Sequence, residues 1–138
     1  SLKDQYEKRK KLIDEYQYYN LNKAIENIEI NLTLAKQIDD LNLNTETLLK
    51  FTQLLISSGQ YKESIDILNQ LNKNIISDDN IIQYYKNYAD GYSRLSYYTI
   101  ANDSKNKYFN LYNILKDKLC YSMQLKMRHF RKLIILME

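Results

Sequence analysis

The sequence predicts an all-α domain built from antiparallel helical hairpins. Its 138 residues contain no Pro and only two Gly, so the residues that form most sheet turns and Gly-rich phosphate loops are nearly absent. Apolar residues recur every three or four positions along most of the chain, which is typical of helices with one buried face. The length and the 44% hydrophobic content fit a single domain, and we expect it to span residues 1–138.

The first four helices are predicted from this periodicity and from capping residues. Helices are expected over about 3–19 and 21–41, and the first should turn Leu12 and Tyr19 inward with Tyr6, Ile13 and Tyr16. Asn44 or Thr45 is expected to cap the third helix, and Gly59 to end it in a left-handed conformation. The fourth helix should then begin at about Tyr61.

Three more helices are predicted in the second half of the chain. The cluster of short polar residues 77–80 indicates a loop and the capped start of a fifth helix. The helical phase resets near Thr99, so a sixth helix is expected up to about Leu115 and a seventh over about 120–137. The sequence thus predicts about seven helices, joined by short links.

The basic charge lies at the end of the chain. From Lys116 onward there are six Lys or Arg and only two acidic residues, whereas the first 115 residues are close to neutral. Nucleic-acid binding usually needs a broad basic surface. The charge pattern therefore argues against such a role for the body of the domain.

The residue types that carry catalysis or bind metals are scarce. Cys120 is the only cysteine, and we expect it to be a buried small apolar residue. His129 is the only histidine and has no acidic residue within four positions, so a surface location is expected. We predict no enzyme, no cofactor and no metal site.

Residues 45–78 carry a regular order of large and small side chains at Leu48, Phe51, Thr52, Leu55, Gly59, Tyr61, Ser64, Leu68 and Leu71. In this order the segment resembles a tetratricopeptide repeat, a pair of antiparallel helices that stacks on copies of itself. The segment from Ser58 to Ser64 is similar to the turn between the two helices of that family. Independently of the family, a small residue at Ser64 should let the two helices approach closely.

Two further copies of the pattern begin near Gln5 and near Ile82. Ala24 and Ala101 take the small position in these copies. The resemblance implies a short right-handed solenoid, in which the seventh helix is the first helix of a fourth repeat and the chain is part of a longer protein. One face of that helix should then lack cover, and we predict self-association through Met123, Met127, Phe130 and Ile134.

Three features extend along the whole chain: Asn22-Lys23-Ala24 after the Tyr-rich first helix, the block from Ser57 to Ser64, and the Tyr pairs 84–85 and 97–98. In these features the chain also looks like the repeat region of bacterial membrane-anchored regulators, which carry such hairpins ahead of a transmembrane helix and a helix-turn-helix. This resemblance implies a sensory or protein-binding module of a transcriptional regulator, attached to a membrane only through flanking segments. It also implies a periplasmic location; without it, a cytoplasmic one is expected.

The repeat geometry predicts a concave groove for a protein or peptide partner. The residues expected to line it are Tyr6, Arg9, Ile13, Tyr16, Glu46, Leu49, Gln53, Ile56, Gln83, Lys86, Asp90 and Ser93. Their mixed chemistry differs from the basic, Asn-rich groove with which some family members bind a C-terminal carboxylate. An alternative function is nucleic-acid binding through the basic C-terminal helix, with Tyr rings stacking on bases.

Overall fold

The structure, a computed structural model, describes residues 1–137. Those residues form six α-helices and one short 3-10 helix, Lys73–Ile75, without any strand. The helices are α1 (Leu2–Tyr16), α2 (Leu21–Ile38), α3 (Leu41–Ser57), α4 (Tyr61–Gln70), α5 (Asp78–Tyr98) and α6 (Asn102–Met137).

The helices form three consecutive antiparallel hairpins, α1/α2, α3/α4 and α5/α6. Each helix packs on the next one along the chain, and α5 also packs on α3. The first helices of the three hairpins, α1, α3 and α5, therefore lie side by side in one layer. This stacking confirms the predicted fold class, an all-α solenoid of helical hairpins.

The core lies between neighbouring hairpins rather than at one centre. Ile13, Ala24, Ile28 and Leu54 join the first hairpin to α3. A separate cluster, made of Leu49, Ile65, Leu68, Tyr84 and Tyr88, joins α3 and α4 to α5. The described part of α6 has no fully buried residue, so the packing becomes thinner towards the end of the chain.

The α3/α4 turn confirms the predictions for Gly59 and Ser64. Gly59 has φ +86°, in the left-handed region that glycine adopts without strain. Ser64 is completely buried, and its hydroxyl donates to the Thr52 carbonyl oxygen at 3.1 Å. A larger side chain at position 64 would push α4 away from α3.

Gly91 lies in the middle of α5 because a side chain there would collide with α4. A Cβ atom at this position would lie 2.7 Å from Cδ1 of Ile65. Only glycine therefore lets α5 approach α4 so closely without a shift of Ile65.

The predicted cap of the third helix was wrong. Helix α3 begins at Leu41 because the Asp40 carboxylate accepts hydrogen bonds from the backbone N–H groups of Asn42 and Leu43. Asp39 just before it has φ +58° and ends α2 in the left-handed conformation. This tight link places α2 and α3 only two residues apart. The sequence prediction placed the end of α2 and the start of α3 a few residues too far along the chain.

The predicted sixth and seventh helices are one continuous helix, α6. Residues 116–119 contain neither Gly nor Pro, and the only capping type among them, Asp117, is one helical residue in a continuous run, so nothing stops the helix between its two halves. The last segment is therefore the extension of the third hairpin's second helix, and not the first helix of a fourth repeat.

Three predicted inward positions were also wrong. Cys120 is exposed, since it lies on a side of α6 that no other helix covers. Leu12 and Tyr19 are exposed as well, because α1 ends at Tyr16 and packs on α2 through Tyr6 and Ile13 instead.

Candidate functional site

A groove runs across the layer formed by α1, α3 and α5, and it contains two adjoining cavities. The first, which we call the α1–α3 cavity, has a volume of about 310 Å³ and lies between α1, α3 and the start of α5. The second, which we call the α3–α5 cavity, has a volume of about 530 Å³ and lies between α3, α5 and Tyr61 of α4. Gln53 of α3 lines both, so the two cavities form one continuous surface.

The wall of the α1–α3 cavity is organised around the hydroxyl group of Tyr6. This buried oxygen lies 2.9 Å from a Glu46 carboxylate oxygen, 2.8 Å from the Thr47 hydroxyl and 3.1 Å from the Leu43 carbonyl oxygen. Burial raises the pKa of Tyr6 well above its usual value. Tyr6 therefore remains a neutral phenol that ties α1 to α3.

Four of the five charged groups that line this cavity are neutralised in pairs, and the fifth, Asp79, is in no ion pair within residues 1–137. Lys10 Nζ lies 2.6 Å from Glu46, and this hydrogen bond raises the pKa of Lys10. Lys50 Nζ lies 3.1 Å from Asp14 and donates to Gln17 at 2.8 Å. A groove with paired charges offers no strong electrostatic attraction for a polyanion.

Asn31 contributes an unsatisfied acceptor to the same cavity. Its side chain is 1% exposed, and its Nδ2 group donates to the Tyr6 carbonyl oxygen at 3.2 Å. Among residues 1–137 its Oδ1 atom has no hydrogen-bond partner. Because an orphan buried acceptor is costly, this atom suits a donor supplied by water or by a bound ligand.

Asn87 fixes the position of α5 beside α3. Its Nδ2 group donates at 2.8 Å both to the Leu49 carbonyl oxygen and to the Thr52 hydroxyl, and its Oδ1 accepts from Gln83 at 2.6 Å. The buried amide thereby sets the width of the groove.

The α3–α5 cavity carries charges that are not in ion pairs. Asp90 and Arg94 line it, and within residues 1–137 neither side chain has an oppositely charged group within 4.0 Å. Desolvation by the surrounding protein raises the pKa of Asp90, although Lys86 and Arg94 act in the opposite direction. These groups remain available to a ligand that brings complementary charge.

The groove geometry agrees with the comparison to known protein families. A family model described as the SusR N-terminal TPR domain matches residues 1–135, where TPR denotes the tetratricopeptide repeat. The chain belongs to this family. No match was found among curated proteins or among solved structures. As a TPR domain it falls into a class that typically mediates protein–protein interactions and is typically non-catalytic.

Nine of the twelve predicted groove residues line the two cavities of this TPR domain. They are Tyr6, Ile13, Glu46, Leu49, Gln53 and Gln83 in the α1–α3 cavity and Gln53, Ile56, Asp90 and Ser93 in the α3–α5 cavity, Gln53 being common to both. Tyr6, Ile13 and Leu49 are almost fully buried, so they form the floor of the groove rather than its accessible surface.

Three predicted groove residues line neither cavity. Arg9 is directed towards α2, where it donates to Asn27 at 2.6 Å. Tyr16 packs with Tyr19 and lies beneath the ammonium group of Lys23. Lys86 is exposed beside the groove.

The repeat spacing missed several residues that the helical period could have found. On α1 the lining residues Tyr6, Lys10, Ile13 and Asp14 follow steps of four, three and one. On α5 the lining residues Gln83, Asn87, Asp90, Arg94 and Tyr97 follow steps of four and three. Positions three or four residues apart, counted from Tyr6 on α1 and from Gln83 on α5, include all of these residues.

The self-association residues lie far from this groove, on the distal part of α6. Met123, Met127, Phe130 and Ile134 are between 42% and 63% exposed. The basic residues around them are exposed too, but Tyr98 at the far end of α5 lies about 40 Å from Arg128 along α6. Nucleic-acid binding would need the exposed Tyr rings and the basic groups together, but most of them are therefore at opposite ends of the domain.

The remaining candidates for chemistry are separated from one another. His129 and Cys120 are both exposed on α6. Among residues 1–137 there is no group of three His, Cys, Asp or Glu side chains that could hold a metal ion. No helix in that range is both long and apolar enough to cross a bilayer.

Proposed function

We propose that this TPR domain is the partner-binding part of a larger regulator and that its groove holds a short extended segment of a protein. The observation that carries the proposal is the continuity of the two cavities across α1, α3 and α5 through Gln53. Concave surfaces of this kind are what helical solenoids use for binding.

The chemistry of the groove favours a segment of mixed polarity. The α1–α3 cavity has an apolar floor, two internal ion pairs and the Asn31 acceptor without a partner. The α3–α5 cavity presents Asp90 and Arg94 without ion-pair partners. We therefore expect the partner to place backbone or side-chain amides at the first cavity and a charged side chain at the second.

Peptide selection followed by substitution tests the groove. Peptides displayed on phage are selected against the immobilised chain, and the affinity of the best peptide is measured by calorimetry. The variant Gln53→Ala/Asp90→Ala/Arg94→Ala should bind at least about tenfold more weakly, since each removed group lies in the groove wall.

A matched variant controls for general effects of substitution. Glu29→Ala/Lys36→Ala/Gln37→Ala removes the same types of side chain from exposed positions of α2. It should bind like the wild-type chain, and both variants should unfold within a few degrees of it. Equal binding by the groove variant would contradict the assignment of this surface.

The regulator part of the proposal rests on the similarity to membrane-anchored regulators. Its test is the sequence that flanks this domain in its parent gene. An apolar span of about 20 residues and a helix-turn-helix on the C-terminal side would support it, and flanking domains of another class would overturn it.

A further inference from the structure

The distal part of α6, residues 123–137, presents a continuous apolar stripe. Met123, Met127, Phe130 and Ile134 form it at helical spacing, and all four are more than two-fifths exposed. Ile82 of α5 lies beside the stripe, and together with the first three residues it lines an apolar cavity of about 430 Å³. The first three residues of the stripe therefore line an open cavity beside Ile82, and the stripe continues along α6 to Ile134.

The third hairpin lacks the cover that the second hairpin has. Helix α5 packs on both α3 and α4 and so covers the second hairpin. Within residues 1–137 no helix covers α5 and α6 in the same way, and α6 extends past the start of α5. The surface thus has the shape and chemistry of a helix-docking site.

We propose that a second copy of this chain fills the site, with the two α6 helices packed antiparallel about a two-fold axis. The stripe has spacings of four, three and four residues, which read the same in both directions. Met123 of one copy then packs on Ile134 of the other, and Met127 packs on Phe130. Both copies bury the same surface, as a two-fold interface requires.

The apolar area on the stripe side of α6 is close to that of a standard contact. The four side chains of the stripe and Met137 present on the order of 600 Å², against about 800 Å² per partner in a standard interface and about 300–600 Å² in the largest patch of a typical monomer. At about 100° per residue, Met137 lies on the same side of the helix as the stripe, so the patch extends to this residue.

The charges around the stripe distinguish a second copy from an acidic partner. Lys126 and Arg131 line the same cavity as the stripe, and in a pair of identical helices these groups repel each other. Added salt screens that repulsion, so the dimer should become tighter at high ionic strength. A complex with an acidic helix or an anionic surface would become weaker under the same conditions.

Sedimentation equilibrium of the 138-residue chain tests the proposal. The wild-type chain should dimerise, and Met127→Ser/Phe130→Ser should weaken the dimer at least about tenfold, because it removes the central contacts. Leu125→Ser/Leu136→Ser makes the same number of changes on nearly the opposite side of α6, at about 100° per residue, and should leave the dimer within about threefold of wild type. Far-UV circular dichroism checks that α6 stays helical in both variants.

Three results would overturn the proposal. They are a monomer at the highest soluble concentration, an unchanged dimer in the Met127→Ser/Phe130→Ser variant, and a dimer that weakens steadily with salt. The last result would indicate an electrostatic contact elsewhere on the chain.

Cross-linking tests the antiparallel arrangement separately. In a Cys120→Ser background, chains with Met123→Cys are mixed with chains with Ile134→Cys and treated with a short bifunctional thiol reagent. Mixed cross-links should dominate, because two copies of residue 123 would lie about 16 Å apart along the helix axis. Dominant links between identical positions would instead indicate parallel helices and contradict the two-fold antiparallel model.

Discussion

The second and third hairpins have the same plan, but they end differently. In α3/α4 the chain turns at Gly59, and the ten-residue helix α4 stops at Gln70 after packing closely on α3. In α5/α6 the turn contains no glycine, and α6 continues for 36 residues, well past the helix on which it packs. The first arrangement buries its apolar side chains in a core, whereas the second leaves an apolar surface exposed to a partner.

The difference arises from small residues and stop signals. Ser64 lets α4 lie against α3, while the corresponding position of the third hairpin, Ala101, is exposed and lies outside the helix. Loss of packing in the second hairpin should therefore affect the whole domain. Changes in the third should mainly affect assembly.

The largest effect is expected at the small positions of the two hairpins. Ser64→Leu replaces the buried hydroxyl with three carbon atoms where no space exists and should lower the free energy of unfolding by about 3 kcal/mol. Ala101→Leu should change it by less than about 0.5 kcal/mol, since the site faces solvent. Urea denaturation of both variants measures the difference, and similar values would mean that the two hairpins are packed equally closely.

A smaller effect is expected from the hydrogen bonds that join the helices. Asn87→Ala removes two bonds to α3 and leaves a cavity, so the free energy of unfolding should fall by about 2 kcal/mol. Ser96→Ala removes one bond, at 3.3 Å to the Lys105 carbonyl oxygen, and should cost about 0.5 kcal/mol. Thermal and urea unfolding should rank the two variants in this order; the reverse order would show that the α5/α6 contact is the tighter one.

The same contrast explains which parts of the structure could be predicted. Gly59 and Ser64 are local signals that each have one physical explanation, and both predictions were confirmed. The end of the sixth predicted helix failed because a change in the apolar pattern was taken as a break, although residues 116–119 contain no residue that stops a helix.

The groove shows a different limit of sequence reasoning. Repeat positions identified the helices that line it, but they could not show that Arg9 turns towards Asn27 or that Lys10 turns towards Glu46. Those choices depend on partners that lie 18 and 36 residues away in the chain. The pattern on a single helix contains no information about them.

An effect smaller than those of Ser64→Leu and Asn87→Ala is expected at Tyr88, which connects α4 of the second hairpin to α5. Its hydroxyl donates to Asn69 at 2.5 Å, and burial raises its pKa far above the ordinary value of 10.0. The folded chain thus keeps this phenol protonated where the unfolded chain ionises it. The resulting stability is fully present below pH 10 and is lost as the pH rises above that value, at up to about 1.4 kcal/mol per pH unit.

Tyr88→Phe should therefore lower the free energy of unfolding by about 1 kcal/mol at pH 7 and make its decline above pH 10 shallower than in the wild-type chain. Tyr121→Phe, a change at an exposed ring of α6, controls for the loss of one phenol in general. Urea unfolding between pH 8 and pH 11.5 measures both slopes. This pH range extends about one to two units either side of the ordinary tyrosine pKa. If Tyr88→Phe leaves the slope of the unfolding free energy above pH 10 unchanged, this ring ionises in the folded state. The interior between α4 and α5 would then be as open to water as the surface of α6.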